Sequence, residues 1–416
     1  MQVMSYQQED QQEYITNRIN KARLETRQLY SQIDKVKAKI QDTTLLESSK
    51  QIAPLSKNAV NLKLLQKLQG HNNKIADIKW AHDSKSILSA SQDGFLLIWD
   101  PVTGLKLNAV PLDSQWVLSC AYSPNGQLVA SAGLTNNCTI YRIGSSVRDD
   151  FQFQQRIVSI LKGHTCGITA CDFVDNEEIL TASGDMTCAS WDLNKGNKKD
   201  EYLDHLGDVL CMDIDRSKGS INFVSGASDG YARIWDRRGA SLEQSFFVSN
   251  SDVTSVKFFK DGNSIVTGSD DGIIRLFDLR ADCELARYSL PRAIQESNKA
   301  NQTFLTPNTP SPYGNYNLTQ SPYSRHQSTA SISNSLNSAI DSSGVTSLDF
   351  SSSGRLMYSC YTDHGCMIWD LLKAEIVGKL EGHSNRTSHV TASPNGLAVA
   401  TASWDTTMRV YTPSYV

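Results

Sequence analysis

A Gly-His pair followed 28 or 29 residues later by Trp-Asp recurs along the chain, as Gly70-His71 with Trp99-Asp100 and as Gly163-His164 with Trp191-Asp192. Degenerate copies align on the aromatic that closes each unit. These are Trp99, Tyr141, Trp191, Trp235, Phe277, Trp369 and Tyr411, at intervals of 42, 50, 44, 42, 92 and 42 residues. A tight turn keeps step six residues before each one, at Asp93, Thr135, Asp185, Asp229, Asp271, Asp363 and Asp405. This period and signature specify a four-stranded blade, and radial repetition leaves only short sheet edges. The chain therefore reads as all-β, a seven-bladed WD-repeat β-propeller preceded by an N-terminal coiled-coil α-helix. Its expected divisions are 1–48 for the helix, 49–416 for the propeller and 291–343 for an insertion within it.

The repeat holds a His, a hydroxyl and an Asp, the parts of a hydrolase triad. In the first unit Trp99, Ser89 or Ser91, His71 and Asp93 can form a buried chain in which each donor meets an acceptor. Trp191, Thr181 or Ser183, His164 and Asp185 repeat it. A catalytic set is needed once, whereas this one recurs about four times, so the residues read as structural glue and the chain as non-catalytic.

At 416 residues and 39% hydrophobic content the chain can bury a large core, and its net charge of -4 carries no basic footprint for nucleic acid. Its nine cysteines include no close CxxC pair. With Cys120, Cys171 and Cys211 on strands they read as buried, reduced packing residues, and no metal or cofactor is expected. No apolar run spans a bilayer. The first residues carry neither a secretory signal nor a myristoylation glycine, and the last lack a prenylation cysteine. A cytoplasmic protein is expected, reaching a membrane only through partners.

Residues 5 to 45 contain no Gly or Pro and are rich in Gln, Glu, Lys and Arg, which favours helix. Ile15, Ile19, Ala22, Thr26, Leu29, Ile33, Val36 and Ile40 are spaced alternately four and three apart, the seam of a coiled coil with one polar interruption. So narrow a seam favours a second helix over packing back on a globular body. After Pro54, the strand-like stretch at 61–68 is placed to complete the last blade, whose own repeat stops at Met408-Arg409-Val410-Tyr411. In the long interval, residues 291 to 343 are dominated by Ser, Thr, Asn, Gln and Pro and read as disordered. Thr306, Thr309, Ser311 and Ser321 there each precede a proline, as proline-directed kinases require, although such a composition also yields these pairs without regulation.

Alternating strand directions put the turn after each second strand and the connection into each first strand on one rim. Aligned first strands bring Lys74, Trp116, Gly167, Asp208, Asp252, Gly344 and Arg386 to equivalent positions at the channel mouth. Two residues on come Ala76, Leu118, Thr169, Leu210, Thr254, Thr346 and Ser388, on the same side by the strand period. The turns add Leu134, Asn136, Asp270 and Trp404. Trp116 and Trp404 occupy no closing position, and exposed Trp is a common interface anchor. The alternative is that they pack under neighbouring loops.

These residues and the runs Ser89-Ala90-Ser91-Gln92-Asp93-Gly94, Gly268-Ser269-Asp270-Asp271, Arg275-Leu276-Phe277-Asp278-Leu279-Arg280-Ala281-Asp282 and Ala400-Thr401-Ala402-Ser403-Trp404-Asp405 carry a resemblance. The chain resembles the β subunit of heterotrimeric G proteins, from the helix through Tyr411, and its long insertion is similar to those of fungal members acting in pheromone response. The resemblance implies a prenylated γ subunit on the helix, with Ile15, Ile19, Ala22, Leu29, Ile33, Val36 and Ile40 in the coiled coil, at the cytoplasmic face of the plasma membrane. It implies a GDP-loaded α subunit on the rim, contacted by Lys74, Trp116, Leu118, Leu134, Asn136, Asp208, Leu210, Asp252, Asp270 and Trp404, and downstream effectors or a scaffold recruited when α leaves. Ala76 and Gly167 stand where tyrosines are usual, which implies a specialised α subunit or a weaker contact there. Two other classes compete: a ubiquitin-ligase substrate receptor, which would co-purify with a ligase, and a hydrolytic propeller, which would need a unique polar pocket.

Overall fold

The computed structural model describes residues 45–55, 60–143, 156–293 and 343–413, together with helical residues between 18 and 36. The chain divides into two compact units, Met1–Gln51 and Ile52–Val416. Within the first, the described residues of the seam, Ile19, Ala22, Thr26, Leu29 and Val36, are helical and exposed, and a short helix Leu45–Ser48 runs into a 3-10 turn, Ser49–Gln51. Ile15, Ile33 and Ile40 lie outside the described residues.

The second unit is seven antiparallel four-stranded sheets arranged as a propeller. The first blade is built from Ile75–Trp80, Ile87–Ser91, Phe95–Trp99 and Lys106–Pro111, running from the channel outward. Its second strand is buried throughout while its outer strand is mostly exposed, because middle strands are covered on both faces by neighbouring blades. The seventh blade takes its outer strand from the other end of the unit: Leu62–Gln69 pairs antiparallel with Thr407–Pro413, from Gln69 opposite Thr407 to Leu62 opposite Pro413. Closure by a distant strand ties the first blade's connection to the last, so the ring cannot open without breaking a sheet.

The core lies between blades rather than within them. Each closing aromatic packs on the preceding blade: Trp99 among Met408 and Val410, Tyr141 with Leu88 and Ile98, Trp191 with Ile140, Trp235 with Leu180, Phe277 with Ile234, and Tyr411 with Ile368. Trp369 does the same edge-on against Tyr288 of the fifth blade, with ring centroids 5.9 Å apart. A large flat side chain at this register fills the wedge-shaped gap between twisted sheets, which explains why the repeat demands an aromatic there.

Around the channel, each innermost strand is a sheet edge whose backbone groups need partners. Side chains of adjacent blades supply them. Cys120 N–H donates to Asp77 Oδ2 at 3.0 Å and Cys171 N–H to Ser119 Oγ at 3.2 Å. Thr169 Oγ1 donates to the Val209 carbonyl at 2.6 Å, and Phe258 N–H to Asp213 Oδ2 at 2.8 Å. Leu348 N–H reaches Ser255 Oγ at 3.1 Å, Ala392 N–H reaches Asp349 Oδ2 at 2.6 Å, and Ser388 Oγ closes the circle on the Ile75 carbonyl at 2.7 Å.

Three sequence expectations change. The pairing register slips at the same place in every first-to-second strand pair, between Ile75 and Asp77 and at six equivalents. Ala76, Leu118, Thr169, Leu210, Thr254, Thr346 and Ser388 are therefore the extra residues of β-bulges, and strict two-residue alternation does not carry through them. The nine cysteines are free but not uniformly buried: Cys166 is exposed, because it sits in the loop after His164 rather than on a strand, and Cys211 and Cys283 are half-buried. The ends of the 291–343 tract belong to the folded body, since residues 290–293 are helical and Ser343 is buried. Thr306, Thr309, Ser311 and Ser321 lie outside the described residues.

Candidate functional site

The His-hydroxyl-Asp sets resolve into closed hydrogen-bond chains. Trp99 Nε1–H donates to Ser89 Oγ at 2.8 Å, Ser89 lies 2.7 Å from His71 Nε2, and His71 Nδ1 lies 2.8 Å from Asp93 Oδ2. With a neutral imidazole, the arrangement that satisfies every atom is Ser O–H to Nε2 and Nδ1–H to the carboxylate. In the third blade Thr181 links Trp191 to His164, 2.8 Å from each, and Asp185 completes the set at 2.8 Å. Of the paired alternatives, then, Ser89 and Thr181 take the role. Ser91 and Ser183 instead donate to carbonyls of the rim, Asn73 and Lys74 in one blade and Cys166 and Gly167 in the other.

His205 with Asp229, Ser225 and Trp235 repeats the chain in the fourth blade. His383 with Asp405 and Thr401 repeats it in the seventh, where Tyr411 turns its hydroxyl to the Glu381 carbonyl instead. The fifth blade replaces His with Ser249 and brings Arg275 to Asp271 at 2.9 Å. Burial pushes His164, His205 and His383 below the ordinary imidazole value despite their carboxylates. Burial would raise Asp93, but hydrogen bonds from His71 and the Asn72 N–H hold it down. The hydroxyls that would have to act as nucleophiles, Ser89 and Thr181, are buried and already accept the indole N–H. The geometry matches a hydrolytic triad in connectivity and denies it a substrate.

Outside these chains, the candidate surface is the rim at the channel mouth. Seven equivalent backbone bonds define it: Gln92, Leu134, Gly184, Ser228, Asp270, Thr362 and Trp404 donate their N–H groups to the carbonyls of Lys74, Trp116, Gly167, Asp208, Asp252, Gly344 and Arg386, at 2.9 to 3.0 Å. Trp116 and Trp404 thus occupy the same rim, at the start of one inner strand and the end of a second strand. Trp116 is 59% exposed. Trp404 is half-buried: its ring carries the Lys74 ammonium 4.0 Å from the centroid and the Arg386 guanidinium at 5.0 Å. One of these two cations, Lys74, comes from the neighbouring first blade.

The remaining rim residues spread around this mouth. Leu134, Asp208, Asp252 and Asp270 are exposed, and Leu118, Asn136 and Leu210 are half-buried. Asn136 spans the second and third blades through a bond to the Thr165 carbonyl at 3.0 Å. Gly167 is not vacant, because a Cβ there would come within 2.9 Å of Leu134 Cδ2. The Leu134 side chain fills the space a larger residue at 167 would need, so the two positions read as one exchange. Basic groups, Lys74 and Arg386, gather at the seam of the seventh and first blades, while Asp208, Asp252 and Asp270 gather on the fourth and fifth.

Below the mouth, the channel carries Asp77, Lys79, Asp172, Asp213, Lys257, Asp349 and His389. Lys257 pairs with Asp213 at 2.8 Å, His389 Nε2 lies 3.2 Å from Asp77, and Asp172 meets Arg216 at 3.2 Å. Burial would lower Lys79, but the surrounding Asp77 and Asp172 hold its ammonium protonated. Burial pushes His389 down to about 4. Among the described residues no group of three or more His, Cys, Asp or Glu side chains is set to hold a metal ion.

A propeller of WD repeats, with structural His-Asp chains and an exposed rim at the channel mouth, is the class this geometry defines. A model of G protein β WD-40 repeat proteins matches residues 16–300, and a model of the WD domain, G-beta repeat, matches 332–370 and 374–412. The chain is 54% identical over 405 residues to a guanine nucleotide-binding protein subunit beta of Saccharomyces cerevisiae, covering 96% of this chain and 92% of that one. It is 34% identical over 371 residues to the subunit beta of Solanum tuberosum, covering 86% of each, and 33% identical over 351 residues to subunit beta-5b of Danio rerio, covering 84% and 76%. The chain belongs to the heterotrimeric G protein β subunit family, whose members are non-catalytic signalling proteins. Among the described residues no helix is long and apolar enough to cross a membrane.

Proposed function

We propose that this chain pairs permanently with a prenylated γ subunit through its N-terminal seam and binds a GDP-loaded α subunit on the mouth rim. When α exchanges GDP for GTP and leaves, the uncovered rim recruits effectors or a scaffold, in receptor signalling of the pheromone or mating kind, at the cytoplasmic face of the plasma membrane. The carrying observation is the exposed Trp116 on the same rim as a Trp404 held between two cations. An exposed aromatic anchor on a rim that carries charges of both signs suits a large protein partner. The exposed Ile19, Leu29 and Val36 support the γ assignment, since an apolar helical stripe in water favours a second helix. Similarity to the yeast subunit beta supports the pheromone setting. Phosphorylation at Thr306, Thr309, Ser311 and Ser321 belongs to the same reading, adding negative charge to a segment that re-enters the ring at the rim.

A pull-down of the chain from its own cells under GDP, repeated with a non-hydrolysable GTP analogue, tests this. The expected result is release of an α subunit with retention of a small lipidated polypeptide. An α subunit held equally under both nucleotides contradicts shared occupancy of the rim, and absence of any small companion contradicts the seam.

A further inference from the structure

Because the blades are copies, each is a control for the others, and one corner of the rim departs from its copies in a consistent direction. In the four blades with a His-Asp chain, the residue after His donates its backbone N–H to the Asp carboxylate: Asn72, Thr165, Leu206 and Ser384, at 2.9 to 3.1 Å. The backbone performs the structural task in all four, so the side chain is free. Three are polar, whereas Leu206 is an apolar side chain left 83% exposed. Two residues before the His, the same loops carry Gln69, Lys162 and Glu381 but, in the fourth blade, Leu203, 62% exposed.

The third apolar residue comes from the hairpin turn of the third blade. The turn position after Asp has positive φ in other blades and is filled by Gly94, Asn136, Gly230, Gly272 and Thr406. Here it is Met186, with φ 68° and 46% exposure. A long side chain in this left-handed conformation is disfavoured by roughly 1 kcal/mol or more against glycine, and this one stays only half-covered. Cys188 pairs directly with Tyr202, which sets Met186 and Leu203 at the same end of that strand pair. Leu206 begins the fourth blade three residues on. Asp204 and Asp208 flank the three, both exposed, and among the described residues no cation lies within 4.0 Å of either.

We propose that Met186, Leu203 and Leu206 form a docking facet for a basic amphipathic helix of an effector protein. Its apolar stripe lies on the three side chains and its Lys or Arg residues meet Asp204 and Asp208. The uncompensated carboxylates decide the occupant: they repel a second copy of the same facet and an anionic membrane, and they attract a cationic segment. This deepens the partner reading above by naming the chemistry of what the freed dimer recruits, and it rests on the mouth rim being a partner surface.

The test uses the full chain with its small companion, titrated by fluorescence anisotropy with an 18-residue Leu/Lys amphipathic peptide, its Leu/Glu counterpart and a sequence-scrambled control. The triple variant Met186→Asn, Leu203→Gln, Leu206→Asn installs residues the other blades carry at these positions, so the fold is retained, as the melting temperature checks. We expect at least tenfold weaker binding of the Leu/Lys peptide, several-fold weaker binding to Asp204→Asn alone, and no binding of the Leu/Glu peptide to the parental chain. Unchanged Leu/Lys affinity in the triple variant overturns the proposal. So does self-association by sedimentation, or binding to phosphatidylserine vesicles, that the triple variant abolishes. Binding of GDP-loaded α to the parental chain is measured in parallel: its absence defeats the α assignment, while peptide binding alone decides the facet.

Discussion

The Lys74 ammonium lies 4.0 Å from the ring centroid of Trp404, joining residues 330 positions apart across the seam where the ring closes. A cation over an indole contributes roughly 0.5 to 2 kcal/mol, depending on how far water is excluded. The contact therefore presets the orientation of an aromatic that would otherwise be ordered on binding. Trp404→Ala and Lys74→Ala are each expected to weaken α binding, and the double variant by less than the sum, because each loses the shared contact. A double-mutant cycle by calorimetry checks this, and strict additivity would show that the pair acts independently.

Thr181→Val keeps the side-chain shape and removes the hydroxyl between His164 and Trp191. Both ring nitrogens then sit buried without a partner, a cost of about 1 to 3 kcal/mol for each unsatisfied group. The expected outcome is a clear loss of stability in urea or heat, with intact α binding in the fraction that remains folded. Ser183→Ala, which removes the bonds to the carbonyls of Cys166 and Gly167 and the one accepted from the Asp185 N–H but leaves the His164 chain intact, should cost less.

Acid should weaken the ring before it disturbs exposed carboxylates. His389 falls to about 4 in the folded chain from an ordinary 6.5, so the folded state binds fewer protons than the unfolded one between those values. Stability rises with pH wherever the unfolded state is the more protonated, hence it declines as pH drops from about 6.5 to about 4. The side chain keeps partial access to the channel, 23% by area, and water screening holds its contribution to about 2 kcal/mol or less. His164, His205 and His383 are lowered in the same direction. Urea unfolding midpoints between pH 4 and 7 should show a slope that His389→Gln makes shallower. An unchanged slope would show that His389 does not titrate differently on folding.

Replacing Leu29 and Val36 together by Glu puts two charges on the helical seam. Co-purification of the small companion should be lost while the propeller retains its melting temperature. A companion still bound would place its contact elsewhere.

The repeat count, the closing strand and the rim were legible because one register governs every blade: an aromatic fixes the wedge, and counting back locates each turn and each inner strand. Which hydroxyl completes the His chain was not legible. Ser89 and Ser91 share a strand face by period two, and only the approach to His71 Nε2 separates them. Arg275 was missed for a related reason, since it reaches Asp271 from a different strand than Ser249, which stands in the place of the missing His. Cys166 was misjudged by treating cysteines as a class, when its loop position decides its exposure. The Leu203 and Leu206 signal was present in the sequence but invisible to motif alignment, which looks at what recurs rather than at what fails to.

The claim on which all of this turns is that the mouth rim seats α through Trp116. Titration of the chain and its companion with GDP-loaded α, before and after Trp116→Ala, measures it by calorimetry. The expected loss is roughly 1 to 3 kcal/mol of binding free energy, with the melting temperature unchanged. Equal affinity in a folded variant would contradict the rim assignment.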